Sequence, residues 1–483
     1  MLKYSITAAG YIEGQKIIED IDGELSGGEI LVLAGPSGSG KTTTILAVTG
    51  VINNLLYGWV DGEVNLCGTN PLTPEGFEEV PGLIGAVLQD PDKQLVMPTP
   101  YDEVAFTLEN LGYDEETIRR KTLETLKRFG LEEKMYSHVE DLSGGQKRRL
   151  TFASAVVHEP KLLILDEPSA NVDPWGIREI RDFIQESRGK GRGVLIVEHK
   201  LRYFLWENIE IHVYRHGRII ARLQTPLSKE EIKMLMENGI DAGPPRIIDL
   251  KGGTGETVLE TRGLTIGYGE NIIAENIDLR VEKGEAVAII GRNGSGKTTL
   301  LKTLVGGLRE LDGQIYISQE PVSMKERIRK VFYVPQMPDY LFVEQSLEAE
   351  LLEASRKTGT PIQELVELIP WYSANKDTSP YRLSHGQRRW LGIVIAYAYK
   401  PSVILLDEPS TGLDLHLFKM LRKAVEELRM RGVSFIISTH DPRVIGEMCN
   451  RAYLLDNKKL QEIERYKAVE YLEREAGLSL EEA

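Results

Sequence analysis

The sequence predicts an α/β fold built twice in tandem, each copy organised around a phosphate-binding loop. Three observations predict it. The phrase GPSGSGKTT at Gly35–Thr43 returns as GRNGSGKTT at Gly291–Thr299, each time directly after a short apolar run. LLILDEPSANVD at Leu162–Asp173 returns as VILLDEPSTGLD at Val403–Asp414. LSGGQ at Leu142–Gln146 returns as LSHGQ at Leu383–Gln387, with His385 where the first copy has Gly144. Self-similarity of this length in a chain of 483 residues describes two copies of one domain rather than a solenoid.

The spacing sets the boundaries. Lys41 and Lys297 stand 256 positions apart, whereas Ser143 and Ser384, Asp166 and Asp407, and His199 and His440 are each separated by 241. From the LSxGQ phrase onward the halves are therefore in register. Gln89 and Gln336 are 247 apart, so the first half has nine extra residues between lysine and glutamine and six between glutamine and serine. VINNLLYGWVDG at Val51–Gly62 is a place for much of the first group. The expected domains are 1–224 and 258–464, joined by 225–257 and followed by a helical tail, 465–483. In the joining stretch Ser228 and Glu231 have capping-box spacing, which predicts a short helix. AGPP and KGGTGE then read as linker. A flexible stretch of roughly 30 residues spans about 30 Å, enough for the halves to face one another within one chain.

The totals exclude several classes. Apolar residues make up 41% and charged residues 27%, a globular profile with no run of eighteen apolar residues. The start, MLKYSITAAGYIEGQK, lacks the apolar core of a secretion signal. Cys67 and Cys449 are the two cysteines, too few for a disulfide framework or a thiolate metal site. A net charge of −15 argues against broad binding to nucleic acid.

Each half then supplies its elements in order. EILVLAG and EAVAIIG have the pattern of short buried strands. G-x-x-x-x-G-K-T follows both. Such a loop curls backbone N–H groups around phosphates at the start of a helix. The first loop is Gly35, Pro36, Ser37, Gly38, Ser39, Gly40, Lys41, Thr42 and Thr43. The second is Gly291, Arg292, Asn293, Gly294, Ser295, Gly296, Lys297, Thr298 and Thr299. Lys41 and Lys297 suit the β- and γ-phosphates, and the Thr42 and Thr298 hydroxyls suit magnesium. LLILDEP and VILLDEP read as buried strands ending in two carboxylates. Asp166 and Asp407 suit the magnesium ion, and Glu167 and Glu408 are placed to polarise a water. Gln89, Gln336, His199 and His440 follow further strand-like runs, LIGAVLQ, VFYVPQ, GVLIVEH and VSFIISTH. Residue type alone gives those four no role.

In this order, the pieces resemble the nucleotide-binding subunits of ATP-binding cassette (ABC) proteins, twice over nearly the whole chain. The resemblance implies that each half is a RecA-like core with an antiparallel β subdomain and a helical subdomain. It implies two ATP molecules with magnesium, held head to tail between the P-loop of one half and the LSxGQ phrase of the other. Ser143, Gly145 and Gln146, with Ser384, Gly386 and Gln387, would then face nucleotide. Gln89 and Gln336 would touch the metal, Glu167 and Glu408 act as general bases, and His199 and His440 hold the γ-phosphate. Asp173 and Asp414 are similar to the family's D-loop acids, and Tyr11 and Tyr268 stand where it stacks an aromatic on adenine. More finely, LQDPDKQLVMPTPYDEVAFTLENLG at Leu88–Gly112, SANVDP and VEHKL resemble energy-coupling factor (ECF) transporter ATPases, importers of vitamins and transition-metal ions. The implied partners are a transmembrane coupling subunit and a small substrate-binding membrane protein, with the chain peripheral on the cytoplasmic face.

Two other resemblances stay open, a soluble ABC ATPase acting on ribosomes or nucleic acid and the fused ATPase of a sugar importer. The short glycine-rich linker and the two cysteines speak against the first, and the intact LSGGQ against the second. Ser-x-x-Gln is itself a capping box, so both LSxGQ phrases are expected to begin helices. His385 then takes the first helical position, where glycine is not required. Facing a phosphate, its pKa should rise.

Overall fold

The computed structural model describes residues 1–478. The chain packs as two compact units, Met1–Val172 with Gly176–Gly243, and Pro244 onward with Asp173–Trp175.

All eight apolar runs quoted above form strands, and in each unit the four share a parallel sheet. The first unit orders Ile84–Val87, Leu162–Asp166, Gly193–Glu198, Ile30–Ala34 and Glu210–Arg215, then adds Arg218–Gln224 antiparallel at the edge. The second orders Val331–Val334, Val403–Asp407, Ser434–Ser438, Ala286–Ile290, Arg451–Asp456 and an antiparallel Lys459–Ile463. Ile30–Ala34 and Ala286–Ile290 are buried at every position. That explains their unbroken apolar sequence, because a parallel sheet is covered on both faces.

Each unit has a second, antiparallel sheet. In the first it is Ile18–Leu25, Leu2–Gly10 and Trp59–Leu66, and along Leu2–Gly10 the residues Leu2, Tyr4 and Ile6 alternate inward. In the second it is Asn271–Glu282, Thr257–Tyr268, Asp312–Ile317 and Glu320–Pro321. The helix after the phosphate loop is sandwiched between the sheets. Ile45 and Val48 meet Leu2, Ile6, Leu31 and Leu33 in one core, and Leu300 and Leu304 meet Leu259, Ile277, Val287 and Ile289 in the other.

A helical region completes each unit. In the first, Pro100–Asn110, Glu115–Arg128 and Gly144–Val156 enclose a small core of Val104, Leu108, Leu126 and Leu150. Thr99, Asp114 and Ser143 start these helices, each side chain accepting the orphan N–H three residues on. In the second unit the elements are Leu347–Thr358, Ile362–Glu367, Tyr372–Asn375 and His385–Ala398.

Part of the first unit's extra length is the short helix Val51–Asn54, inside the stretch singled out above. More lies in Pro74–Leu83, ten residues where the second unit has the seven of Met324–Lys330. The joining stretch divides between the units. Ser228 and Glu231 make their capping box, and Lys229–Glu237 is helical. Asp241 N–H donates to His199 O, and Ile240 and Ala242 are buried, so this part packs on the first unit. Further on, Ile248 N–H donates to Gly446 O, and Arg429 reaches Lys251 O, which fixes the stretch from Pro244 onward to the second. Buried apolar side chains and paired backbone groups hold what composition alone describes as flexible. In the tail, Arg465–Glu475 is helical, and 479–483 fall outside the described residues. Among the described residues no helix is long and apolar enough to cross a membrane.

Candidate functional site

Both phosphate loops leave the carboxyl end of a central strand and enter a helix, Lys41–Val48 or Lys297–Leu304. Gly40 and Gly296 stand at the N-caps with φ of 102° and 105°. A Cβ there would lie 2.8 Å from Ile18 Cγ2 or 2.4 Å from Ile273 Cγ2, so glycine is required by conformation and by space. Neither helix has a side-chain cap. First-turn N–H donors and the helix dipole are thereby left for an anion. The Lys41 ammonium folds onto its own loop, donating to Gly35 O and Pro36 O at 2.8 Å each. Lys297 donates to Gly291 O at 2.7 Å and Arg292 O at 3.1 Å. Both lysines are buried.

Next to each loop lies the strand that ends in Asp-Glu. Thr42 Oγ1 donates to Asp166 Oδ2 at 3.3 Å, and Thr298 Oγ1 to Asp407 Oδ2 at 2.9 Å. Asp407 also accepts from the hydroxyls of Tyr333 and Ser438. Burial, and then the charge of Glu167, push the Asp166 carboxyl up to about 6. A hydroxyl beside a carboxylate is a hard-oxygen pair that fits magnesium, which ordinarily adds substrate phosphates to one or two carboxylates. Among the described residues no cluster of three or more His, Cys, Asp or Glu could hold a metal by itself, so phosphate oxygens would have to complete the shell.

Glu167 and Glu408 adopt left-handed backbone, φ of 47° and 45°. Non-glycine residues are strained there. The conformation is held by backbone bonds across the sheet end, Glu167 N to Val197 O at 2.8 Å and Glu408 N to Ser438 O at 3.0 Å. The carboxylates then differ in their partners. Glu167 Oε2 accepts from Gln89 Nε2 at 2.8 Å, and His199 Nδ1 lies 3.6 Å from Oε1. Glu408 sits between His440 Nδ1 at 3.0 Å and Lys297 Nζ at 3.6 Å. Burial opposes its charge, yet His440 and Lys297 outweigh that and hold the carboxyl well below the usual carboxylate range. Glu167 is also lowered, His199 and Lys41 overcoming burial. Gln336 is exposed beyond its strand, and its side chain makes no hydrogen bond among the described residues. Tyr11 and Tyr268 stand 39% and 52% exposed, and Tyr11 OH lies 3.1 Å from Thr43 Oγ1.

Both LSxGQ phrases start helices through full capping boxes, Ser143 with Gln146 and Ser384 with Gln387. His385 occupies the first helical position, as expected. The upward pKa shift is opposed by its own surroundings. Burial, then Arg389 and Arg388, push the ring down to about 4, against a weaker pull from Asp339. Arg388 lies 3.2 Å from its Nδ1. Arg389 is buried and donates to the carbonyls of Glu408 and Thr411, 2.7 Å each, tying this helix to the strand end that carries Glu408.

The ABC transporter family model matches residues 18–170 and 274–411, more than half of the chain. The chain belongs to the ABC transporter family. A putative ABC transporter ATP-binding protein of Saccharolobus solfataricus is 30% identical, the match covering 94% of this chain and 91% of that one. A putative HMP/thiamine import ATP-binding protein of Bacillus subtilis is 30% identical, with 93% and 89% covered. The solved structure of an RNase-L inhibitor matches with a TM-score of 0.65 at 21% identity, covering 94% and 90%, a likeness of fold. This chain is thus an ATP-binding subunit of an ABC transporter with two ABC ATPase domains, a family that hydrolyses ATP.

Some features of these ABC domains were not read from sequence. The strain at Glu167 and Glu408 has no signature in residue type. Glu198 is fully buried beside His199; it accepts from the N–H groups of His199, Lys200 and Ser169. The carboxylate in VEH, where the second copy has Thr439, is the signal that could have found it.

Two outcomes are expected. The folded pKa of Asp166 lies above its unfolded value of about 4. The carboxyl therefore costs stability progressively as pH rises from about 4 to about 6, and fully above that. In thermal unfolding of the nucleotide-free chain, Asp166→Asn should stabilise its domain by about 2 kcal/mol at pH 7.5 and by nothing at pH 4. Equal melting at both pH values for variant and parent would contradict this. A Cβ on Gly386 would meet Leu417 Cδ2 at 2.7 Å, whereas Gly145 faces open space. Gly386→Ala should therefore destabilise by about 1–3 kcal/mol, while Gly145→Ala is neutral or gains up to about 1 kcal/mol of helix propensity. Urea unfolding of the two variants makes the comparison, and equal effects would refute it.

Proposed function

We propose that this chain powers ECF-type import of a vitamin or metal ion, using two ATP sites closed head to tail between a P-loop and the opposite LSxGQ phrase, within one chain or between chains. The observation that carries the reading is that each copy holds the same set, lysine and threonine facing aspartate, glutamate and histidine, in a chain matched over 93% of its length by a relative named for HMP/thiamine import. The ECF-like region Leu88–Gly112 supports the finer assignment.

In this mechanism Lys41 and Lys297 exchange loop carbonyls for the β- and γ-phosphates, since bonds between charged groups are the stronger. Magnesium, when bound at Thr42 and Asp166 or Thr298 and Asp407, neutralises phosphate charge. Glu167 and Glu408 accept the proton of the attacking water, and a depressed carboxyl pKa keeps them ionised for that task. Gln89 and Gln336 reach the same magnesium sites, and Gln89 also bonds Glu167. His199 and His440 hold the γ-phosphate, and Asp173 and Asp414 line the closed interface. Tyr11 and Tyr268 stack on adenine. ATP binding joins the domains because each γ-phosphate is held from both sides, and hydrolysis releases them. The partners are a transmembrane coupling subunit, which drives transport, and a small membrane protein that selects the solute. The chain works at the cytoplasmic face of the membrane, with no nucleic-acid partner.

Glu167→Gln with Glu408→Gln should keep ATP binding and lower turnover by about 10²–10⁴; full activity in the double variant would remove both glutamates from the chemistry. Purified from its own membranes in mild detergent, the chain should bring two hydrophobic membrane proteins in fixed stoichiometry. Ribosomal proteins in their place, or the chain alone, would count against the importer.

A further inference from the structure

The ATP sites occupy the carboxyl ends of the parallel strands. At the opposite edge of the first unit lies a cavity of about 390 Å³ that the mechanism does not use. Five cations line it: Lys121 and Arg128 from the helix Glu115–Arg128, Lys190, and Lys161 and Arg192 immediately before the strands Leu162–Asp166 and Gly193–Glu198. Some are already paired, Lys121 with Glu159 at 3.3 Å and both Arg128 and Lys190 with Glu186 at 2.8 Å, and Glu124 also lines the wall. Lys161 and Arg192 form no salt bridge among the described residues. Arg192 is 8% exposed; its Nε donates to Pro160 O at 3.1 Å, and its Nη1 is buried without a hydrogen-bond partner. A buried, half-satisfied guanidinium is costly unless an anion completes it.

The second unit is an internal control. It builds the same strand starts with Ser402 where the first has Lys161 and Val433 where the first has Arg192. The fold therefore does not require either cation, and in a chain of net charge −15 their gathering in one cavity calls for another reason.

We infer that this cavity is a second anion site, specific to the first domain, that takes a diphosphate group, either a free polyphosphate or the tail of a nucleotide. The guanidinium fork and converging ammonium groups match adjacent phosphate oxygens, and the volume lies within the range of small-ligand pockets.

Calorimetric titration tests it on the full chain carrying Lys41→Ala and Lys297→Ala, which disable the P-loops, with inorganic pyrophosphate and, separately, ADP as probes. One pyrophosphate should bind per chain, weakened about tenfold or more by Arg192→Val and by Lys161→Ser. Both variants borrow the second domain's own residues, and Lys161, being exposed, reads the site even if Arg192→Val fails to fold. ADP binding tighter than pyrophosphate identifies a nucleotide tail; equal or weaker binding identifies a free polyphosphate. No pyrophosphate binding, or binding unchanged in the folded variants, overturns the inference. ATP turnover of the otherwise unmodified chain should be unaltered by Lys161→Ser without added ligand, which separates this outcome from failure of the transport reading.

Discussion

Parallel strands end on the same side, and everything at the candidate site depends on that. In the first domain Gly35, Gln89, Asp166 and His199 lie in sequence stretches far apart, yet each follows or closes a strand of one sheet. Their side chains are brought to one edge by backbone hydrogen bonding, before any of them contacts another. The order matters too. The phosphate-loop strand is flanked by the histidine strand, which is flanked in turn by the Asp-Glu strand, so His199 meets Glu167 across neighbouring ends and Thr42 reaches Asp166 past the histidine strand between them. In open α/β sheets that edge is where ligands bind. The second domain repeats the arrangement with a different set of neighbours for each carboxylate.

The rest of each domain holds this edge in a state it would not adopt alone. Two glutamates are kept in left-handed backbone, and Asp166 is desolvated beside Glu167. The two lysines are buried with carbonyls in place of phosphate. Each costs stability, and a cation at the aspartate or a polyanion at the lysines would relieve the last two. Apolar cores on both faces of the sheet supply the compensating stability.

Much of this was legible in the sequence because the signals are local. Short apolar runs predicted the strands that lead to the phosphate loops, the Asp-Glu pairs, Gln89, Gln336, His199 and His440, though not the strand that ends in Tyr268, and the repeated phrases pointed to the lysines, threonines, aspartates, glutamates and caps. What stayed hidden depends on neighbours distant in sequence. Gln89 bonds Glu167 while Gln336 is exposed, although both end similar strands. His385 reads as a residue facing phosphate, but Arg388 and Arg389 on its own helix push its pKa down. Gly145 and Gly386 look equivalent until Leu417 is found against one of them. The glycine- and proline-rich junction reads as free chain, whereas a hydrogen bond from Ile248 N–H to Gly446 O and one from Arg429 to Lys251 O hold part of it.

These differences make the two sites chemically unequal while leaving both fully furnished. Native mass spectrometry of the chain carrying Lys161→Ser, which removes the further anion site, with magnesium and a non-hydrolysable ATP analogue tests directly that both are furnished. Two nucleotides should bind per chain, with Lys41→Ala and Lys297→Ala each removing one. A single nucleotide on the parent chain, or one lysine variant that still binds two, would contradict it.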